Sequence, residues 1–125
     1  MTMDIEYDAS IHCIVINAIG KIEYADLQVL AKDLIEHTEF RTNINQIFNC
    51  SDAELNLTID DLRRVAEDFT KIEEILGLER KLALVVSRDV EFGQMRQYEV
   101  FFQSGPNVMI HVFRSLDAAR RWIAN

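Results

Sequence analysis

Residues 81–87 read Lys-Leu-Ala-Leu-Val-Val-Ser. The five positions Leu82–Val86 hold no polar side chain. A strand with one wet face alternates apolar and polar residues, whereas an unbroken apolar run needs cover on both faces. This run is therefore read as a central strand, and the elements around it must supply the cover.

The sequence on either side does so. Upstream, Ile59–Leu76 places Leu62, Val65, Ala66, Phe69, Ile72 and Leu76 on one stripe, which is helical spacing. Thr58-Ile-Asp-Asp61 marks its start, and Gly77 supplies a left-handed stop. A second candidate start, Ser51-Asp-Ala-Glu54, has the better capping-box form but weaker periodicity behind it. Residues 51–57 are therefore expected as a loop. Before them, Gln46–Cys50 is a core strand built on Ile47 and Phe48. Ala25–His37 is a helix burying Leu27, Leu30, Ala31, Leu34 and Ile35. Ile11–Ile19 is nearly all apolar and β-branched, so it reads as a strand closed by Gly20. Asp4–Tyr7 pairs with it through a turn near Asp8–Ser10.

Downstream, Glu91–Gln103 is a helix with Met95, Tyr98 and Phe102 along one face. Ser104-Gly-Pro-Asn107 is a turn, and Val108–Phe113 is the last strand. Ser115 caps a final helix that buries Leu116, Ala119, Trp122 and Ile123. The order is β-β-α-β-α-β-α-β-α. It predicts an α/β domain with a mainly parallel sheet, an antiparallel N-terminal edge strand and four covering helices. One domain spanning residues 1–125 is expected.

Composition agrees with a globular domain and narrows the function. The chain has 125 residues, 49% hydrophobic and 27% charged. The net charge is -8, which argues against nucleic acid as partner, since phosphates need a basic face. The charge is uneven: residues 1–40 carry -6, residues 41–80 carry -4, and residues 81–125 carry +2. Met1–Ser10 is acidic, where an export signal is basic and then apolar. No apolar run approaches the roughly 20 residues that span a bilayer. Cys13 and Cys50 lack metal-ligand spacing and are expected as reduced thiols in a cytoplasmic protein.

Signatures of catalysis are missing. The chain has no phosphate-binding glycine loop and no G-x-S-x-G elbow. His12, His37 and His111 are scattered, so no metal site and no cofactor are expected. Cys50 ends a core strand where a helix dipole could lower its pKa, but Asp52 and Glu54 follow it and oppose a thiolate. Asp60 and Asp61 read as first-turn helix acids, not as a catalytic pair.

Two constellations remain. In a parallel sheet, ligands collect outside the carboxyl ends of the strands, at the switch point. Asn49 and Ser51 follow the second core strand, Ser87 and Arg88 the third, and Arg114 and Ser115 the last. Arg96 lies in the helix after Arg88. Asn49, Ser51, Arg88, Arg96 and Arg114 could hold a phosphate or carboxylate, on a small ligand or a partner. The competing reading pairs each arginine with a nearby acid such as Asp89 or Asp117, and it is the favoured one. The second constellation is Phe92, Val100 and Phe101, apolar beyond one helical face, and so either core or interface. Pairing of two copies through an edge strand or an exposed helix is a further expectation.

The order of elements and particular residues resemble the SpoIIAA-like superfamily, which includes the STAS domains of anti-sigma-factor antagonists. The likeness is to its STAS/SEC14-like branch. It rests on Gly20 with Asp26-Leu27, His37-Thr-Glu-Phe40, and Leu57-Thr-Ile-Asp-Asp-Leu62. It continues through Ala83-Leu-Val-Val86, Phe92-Gly93, Tyr98, Val112-Phe113-Arg114, Ala118 and Trp122-Ile123. The resemblance covers nearly the whole chain from about Ile11. It implies a β-α superhelix and no catalytic activity; taken with the two constellations above, the chain is expected to act by binding an unidentified protein partner. Antagonists carry a phosphorylatable serine in a D-S-S-G-like loop; Asn49-Cys-Ser-Asp52 has Ser51 but neither the preceding Asp nor the following Gly. The SEC14-like relatives imply instead a small lipophilic or anionic ligand.

Overall fold

The computed structural model describes residues 2–37, 43–76, 79–102 and 108–125, with all their side chains except those at 72–76, 101 and 102. Five strands and four helices follow one another: β1 (Thr2–Asp8), β2 (Cys13–Ile22), α1 (Tyr24–Glu36), β3 (Asn45–Leu55), α2 (Ile59–Leu76), β4 (Arg80–Val85), α3 (Asp89–Phe102), β5 (Val108–Phe113) and α4 (Leu116–Ala124). The strands lie in the sheet in their sequence order. β1 runs antiparallel to β2, and every other neighbour pair is parallel.

This order has a physical consequence. Each crossover lands on the next strand in the same direction, and right-handedness then puts its helix on the same side each time. Leu27, Leu30 and Leu34 of α1, Leu62, Val65 and Phe69 of α2, and Met95 and Tyr98 of α3 share one core with Ile14, Ile16, Leu82, Leu84 and Val86. After β5 the chain turns the other way. Ala119 and Ile123 of α4 pack on Cys13, Val15, Ile47, Ala83 and Val85. The Leu82–Val86 run is apolar throughout because alternate residues serve the two cores. The winding never reverses between adjacent parallel strands, so the sheet has no switch-point crevice of the kind the sequence reading placed there.

Several element ends shift by about two residues from expectation, α3 opening at Asp89 and β2 at Cys13, and two of the differences change the sheet. The sequence reading ends the first long strand at Gly20; the structure continues β2 to Ile22, with Gly20 inside it at φ 95°. That left-handed region favours glycine. Residues 51–55 are strand, not loop. A bulge lets three steps of β3 (Asn49 to Asp52) meet two of β2 (Asn17 to Ile19), and pairing resumes to Ile22 and Leu55. Buried Leu55, following exposed Asp52 and Glu54, anchors this extension. Ser51–Glu54 is therefore no helix start. α2 begins at Thr58 instead, whose Oγ1 accepts from Asp61 N at 3.0 Å while its own N donates to Asp61 Oδ2 at 2.9 Å. Ser115 caps α4 as expected, accepting from Ala118 N at 3.2 Å. The expected stop at Gly77, the turn at 104–107 and most of the His37–Phe40 stretch lie outside the described residues.

Candidate functional site

The carboxyl ends of β4 and β5, with the middle of β3 level with them, carry four of the five candidate polar residues. Arg88 sits between β4 and α3. Its carbonyl accepts from Phe92 N at 2.9 Å, which opens the helix, and its NH2 donates to Glu91 Oε1. The bond to Glu91 raises the Arg88 pKa above its ordinary value. The pair is lopsided: the Arg88 side chain is 58% exposed and that of Glu91 only 3%. Arg114, at the end of β5, reaches back to α3. Its NH1 is 2.5 Å from Asp89 Oδ1, and its guanidinium lies 4.3 Å from the Phe92 ring centroid. Both arginines are therefore engaged by carboxylates of the first turn of α3.

Asn49 and Ser51 form their own network on the α4 side of the sheet. Ser51 Oγ and N donate to Asn49 Oδ1 at 2.6 and 3.2 Å. Asn49 Nδ2 donates to Asn17 Oδ1 at 3.0 Å, and Ser87 Oγ donates to the Ser51 carbonyl at 2.8 Å. Arg96 stands apart from these. Two turns along α3, its NH1 pairs with Glu99 Oε2 at 3.0 Å, and Glu99 Oε1 lies 2.6 Å from His111 Nδ1 on β5. Of the apolar candidates, Val100 is 64% exposed and Phe92 half-buried under Arg114. The Phe101 side chain lies outside the described residues. Two residues not singled out from sequence are also bare: Val90 is 72% exposed and Ile59 53%. The Gln94 side chain, one turn after Val90, donates to the Leu57 carbonyl at 3.1 Å, so the starts of α2 and α3 lie side by side.

The interior holds a cavity of about 40 Å³ between the sheet and helices α2 and α3, with Gln46, Cys50, Phe69, Leu84, Met95 and Tyr98 in its wall. Burial, and secondarily the charge of Glu91, pushes the Cys50 pKa up and holds it as a thiol. Among the described residues no cluster of His, Cys, Asp and Glu could hold a metal ion. Nor is any described helix long and apolar enough to cross a membrane.

The site residues missed by sequence reading are Glu91, Glu99 and Gln46. Glu91 and Glu99 stand three residues after Arg88 and Arg96, a spacing that signals helix-surface pairs. Their near-complete burial, at 2% and 6% exposure, has no local signal.

No family model matches the chain, and no curated protein matches it. A search of solved structures finds the crystal structure of an uncharacterized DUF3478-family protein with a SpoIIAA-like fold from Shewanella loihica PV-4. The match has a TM-score of 0.61 at 16% identity and covers 98% of this chain and 92% of that one. The chain has a SpoIIAA-like fold. At this identity the likeness speaks for the fold alone. Within the SpoIIAA-like frame, the sequential strand order and the one-sided α1–α3 layer described above account for the expected β-α superhelix.

Proposed function

We infer that the protein is a non-enzymatic, STAS-like binding domain of the cytoplasm that recognises a protein partner through its carboxyl-end edge and α3. The observation that carries this reading is Val90. A valine 72% exposed in the first turn of a helix, with the half-exposed Arg88 and Arg114 beside that turn, is apolar surface framed by polar groups. Ile59, exposed on the adjoining start of α2, adds to it, while Val100 is a separate exposed valine two to three turns along α3. Arginine at a rim gives a partner directional hydrogen bonds in exchange for its present carboxylate.

The second reading, carriage of a lipophilic or anionic molecule, has less support. Pockets for drug-sized ligands measure a few hundred Å³ or more, and the cavity here is about 40 Å³. An anion would have to share the arginines with Asp89 and Glu91, whose charges oppose it.

A photo-crosslinking side chain introduced at Val90, in the cell of origin, tests the proposal. A discrete adduct is expected from Val90 and not from a control at the exposed Val29 of α1. Adduct yield should fall with Arg88→Glu and Arg114→Glu. An adduct of two copies of this chain would make the partner a homodimer. Identical adducts from Val90 and Val29, or adducts indifferent to both arginines, would overturn the assignment.

A further inference from the structure

The cavity wall holds an unmatched polar group. Gln46 lies at the start of β3, facing the α1–α3 layer, and is 2% exposed. Its Oε1 is buried and accepts no hydrogen bond. A buried amide oxygen left without a donor costs about 1–3 kcal/mol, which a guest that donates to it would recover. The rest of the wall is carbon apart from Cys50 and Tyr98; Phe69, Leu84 and Met95 are typical of it.

We propose that this cavity is a binding site for a compact neutral alcohol, whose hydroxyl donates to Gln46 Oε1 while its carbon body fills the apolar remainder. Three features select that chemistry. The unmatched group is an acceptor, so the ligand must bring a donor. The walls are apolar, which excludes a charged ligand. The volume of about 40 Å³ is roughly three times what one water needs, which suits a molecule of about three or four heavy atoms. Water alone fits poorly, because a buried water makes about three hydrogen bonds and this wall has one free acceptor. Met95 lines the cavity, and its flexible thioether lets the wall adjust to the guest. The proposal does not depend on partner recognition at Val90.

The test is an NMR titration of the isotope-labelled full chain with ethanol, 2-propanol and acetone. Acetone matches 2-propanol in heavy atoms but donates no hydrogen bond. Saturable shifts are expected for the Gln46 side-chain amide and the Leu84 and Val86 methyls with both alcohols. Acetone should bind at least about five-fold more weakly than 2-propanol, the loss of one buried hydrogen bond. Gln46→Leu, a volume-matched apolar change, should bring 2-propanol and acetone within about two-fold of each other. Equal binding of acetone and 2-propanol by the unaltered chain would overturn the proposal. So would shifts that fail to saturate, or that avoid the cavity. That comparison needs no variant, so it stands even if Gln46→Leu does not fold.

Discussion

Glu99 Oε1 lies 2.6 Å from His111 Nδ1 and so ties α3 to the last strand of the sheet. The carboxylate is 7% exposed on its side-chain atoms, while His111 and Arg96, which holds the other oxygen, are both more than half exposed. One buried anion is thus held between two groups that keep their own access to water. Glu99→Ala should destabilise the fold by about 1–3 kcal/mol, because the tie between α3 and β5 and the Arg96 pair are lost together. Arg96→Ala, an exposed helix partner, should cost no more than about 1 kcal/mol. Urea unfolding midpoints of the two variants check the ranking, and equal losses would contradict it.

At the opposite corner of the sheet, Asp8 ends β1. Its Oδ1 accepts from Ser10 Oγ at 2.6 Å, and its Oδ2 accepts from Arg120 of α4. The Ser10 hydroxyl first, then Arg120, hold the Asp8 carboxyl below its ordinary value of 3.8. A depressed folded pKa means the unfolded chain takes up the proton first as pH falls. The stabilisation is therefore complete above pH 3.8 and is lost below it. Asp8→Asn should lower stability at neutral pH, and the difference from the unaltered chain should shrink under acid. A pH series of unfolding midpoints would refute this if the gap stayed constant.

The two buried thiols, like the buried Tyr98 phenol, weaken the fold at alkaline pH. Burial raises Cys13 from an ordinary 9.0 to about 12, and raises Cys50 further. Here the unfolded chain loses its protons first, so stability falls as pH rises above 9. The slope is about 1.4 kcal/mol per thiol per pH unit. Cys50→Ala should flatten the decline between about pH 9 and pH 11, apart from its own cavity cost. Neither cysteine should react with a thiol reagent at neutral pH until the protein unfolds, which mass spectrometry of the labelled chain reads directly.

β1 is an open edge of the sheet. Thr2, Asp4 and Glu6 alternate along it as exposed residues, while Met3 and Ile5 turn toward the core. Charges on an edge strand repel a second strand that would otherwise add to it. Asp4→Val with Glu6→Val should leave the fold intact and promote association, visible as rising light scattering with concentration. A monodisperse double variant would show that the acids have no such role.

Arg114 separates stability from recognition. Its pair with Asp89 is exposed on both sides, 52% and 87%, so Arg114→Ala should cost about 1 kcal/mol or less even with loss of the Phe92 contact. If the proposed edge is the binding surface, the same change should cut crosslinking from Val90 by far more than its effect on melting. A parallel decline in both would point to a purely structural arginine.

The element list was legible because it is local. The unbroken Leu82–Val86 run, the helical stripe from Leu62 to Phe69, and Ser115 before α4 each carry their signal within a turn or a strand, and each appears where the pattern put it. Residues 51–55 read as loop because Ser51-Asp-Ala-Glu54 carries no apolar alternation of its own, whereas what makes them a strand is pairing with Ile19–Ile22, some thirty residues upstream and reached through a bulge. For the site, the arginines and their rivals were visible as types. Which rival engaged them was not: Arg114 found Asp89, 25 residues away, across the gap between β5 and α3.

By itself, then, the sequence determined the class: alternating strands and helices, two covered sheet faces, an acidic chain with its last third mildly basic. Periodicity, capping and charge are properties of neighbouring residues, and they survive without knowledge of packing. Only the tertiary structure decided that the strands lie in sequential order with three helices on one face. It also buried Glu91, Glu99 and the Gln46 oxygen, and it left Val90 bare beside two carboxylate-bound arginines. Burial and pairing depend on which distant segments meet, and that is settled by the whole sheet closing on its two cores.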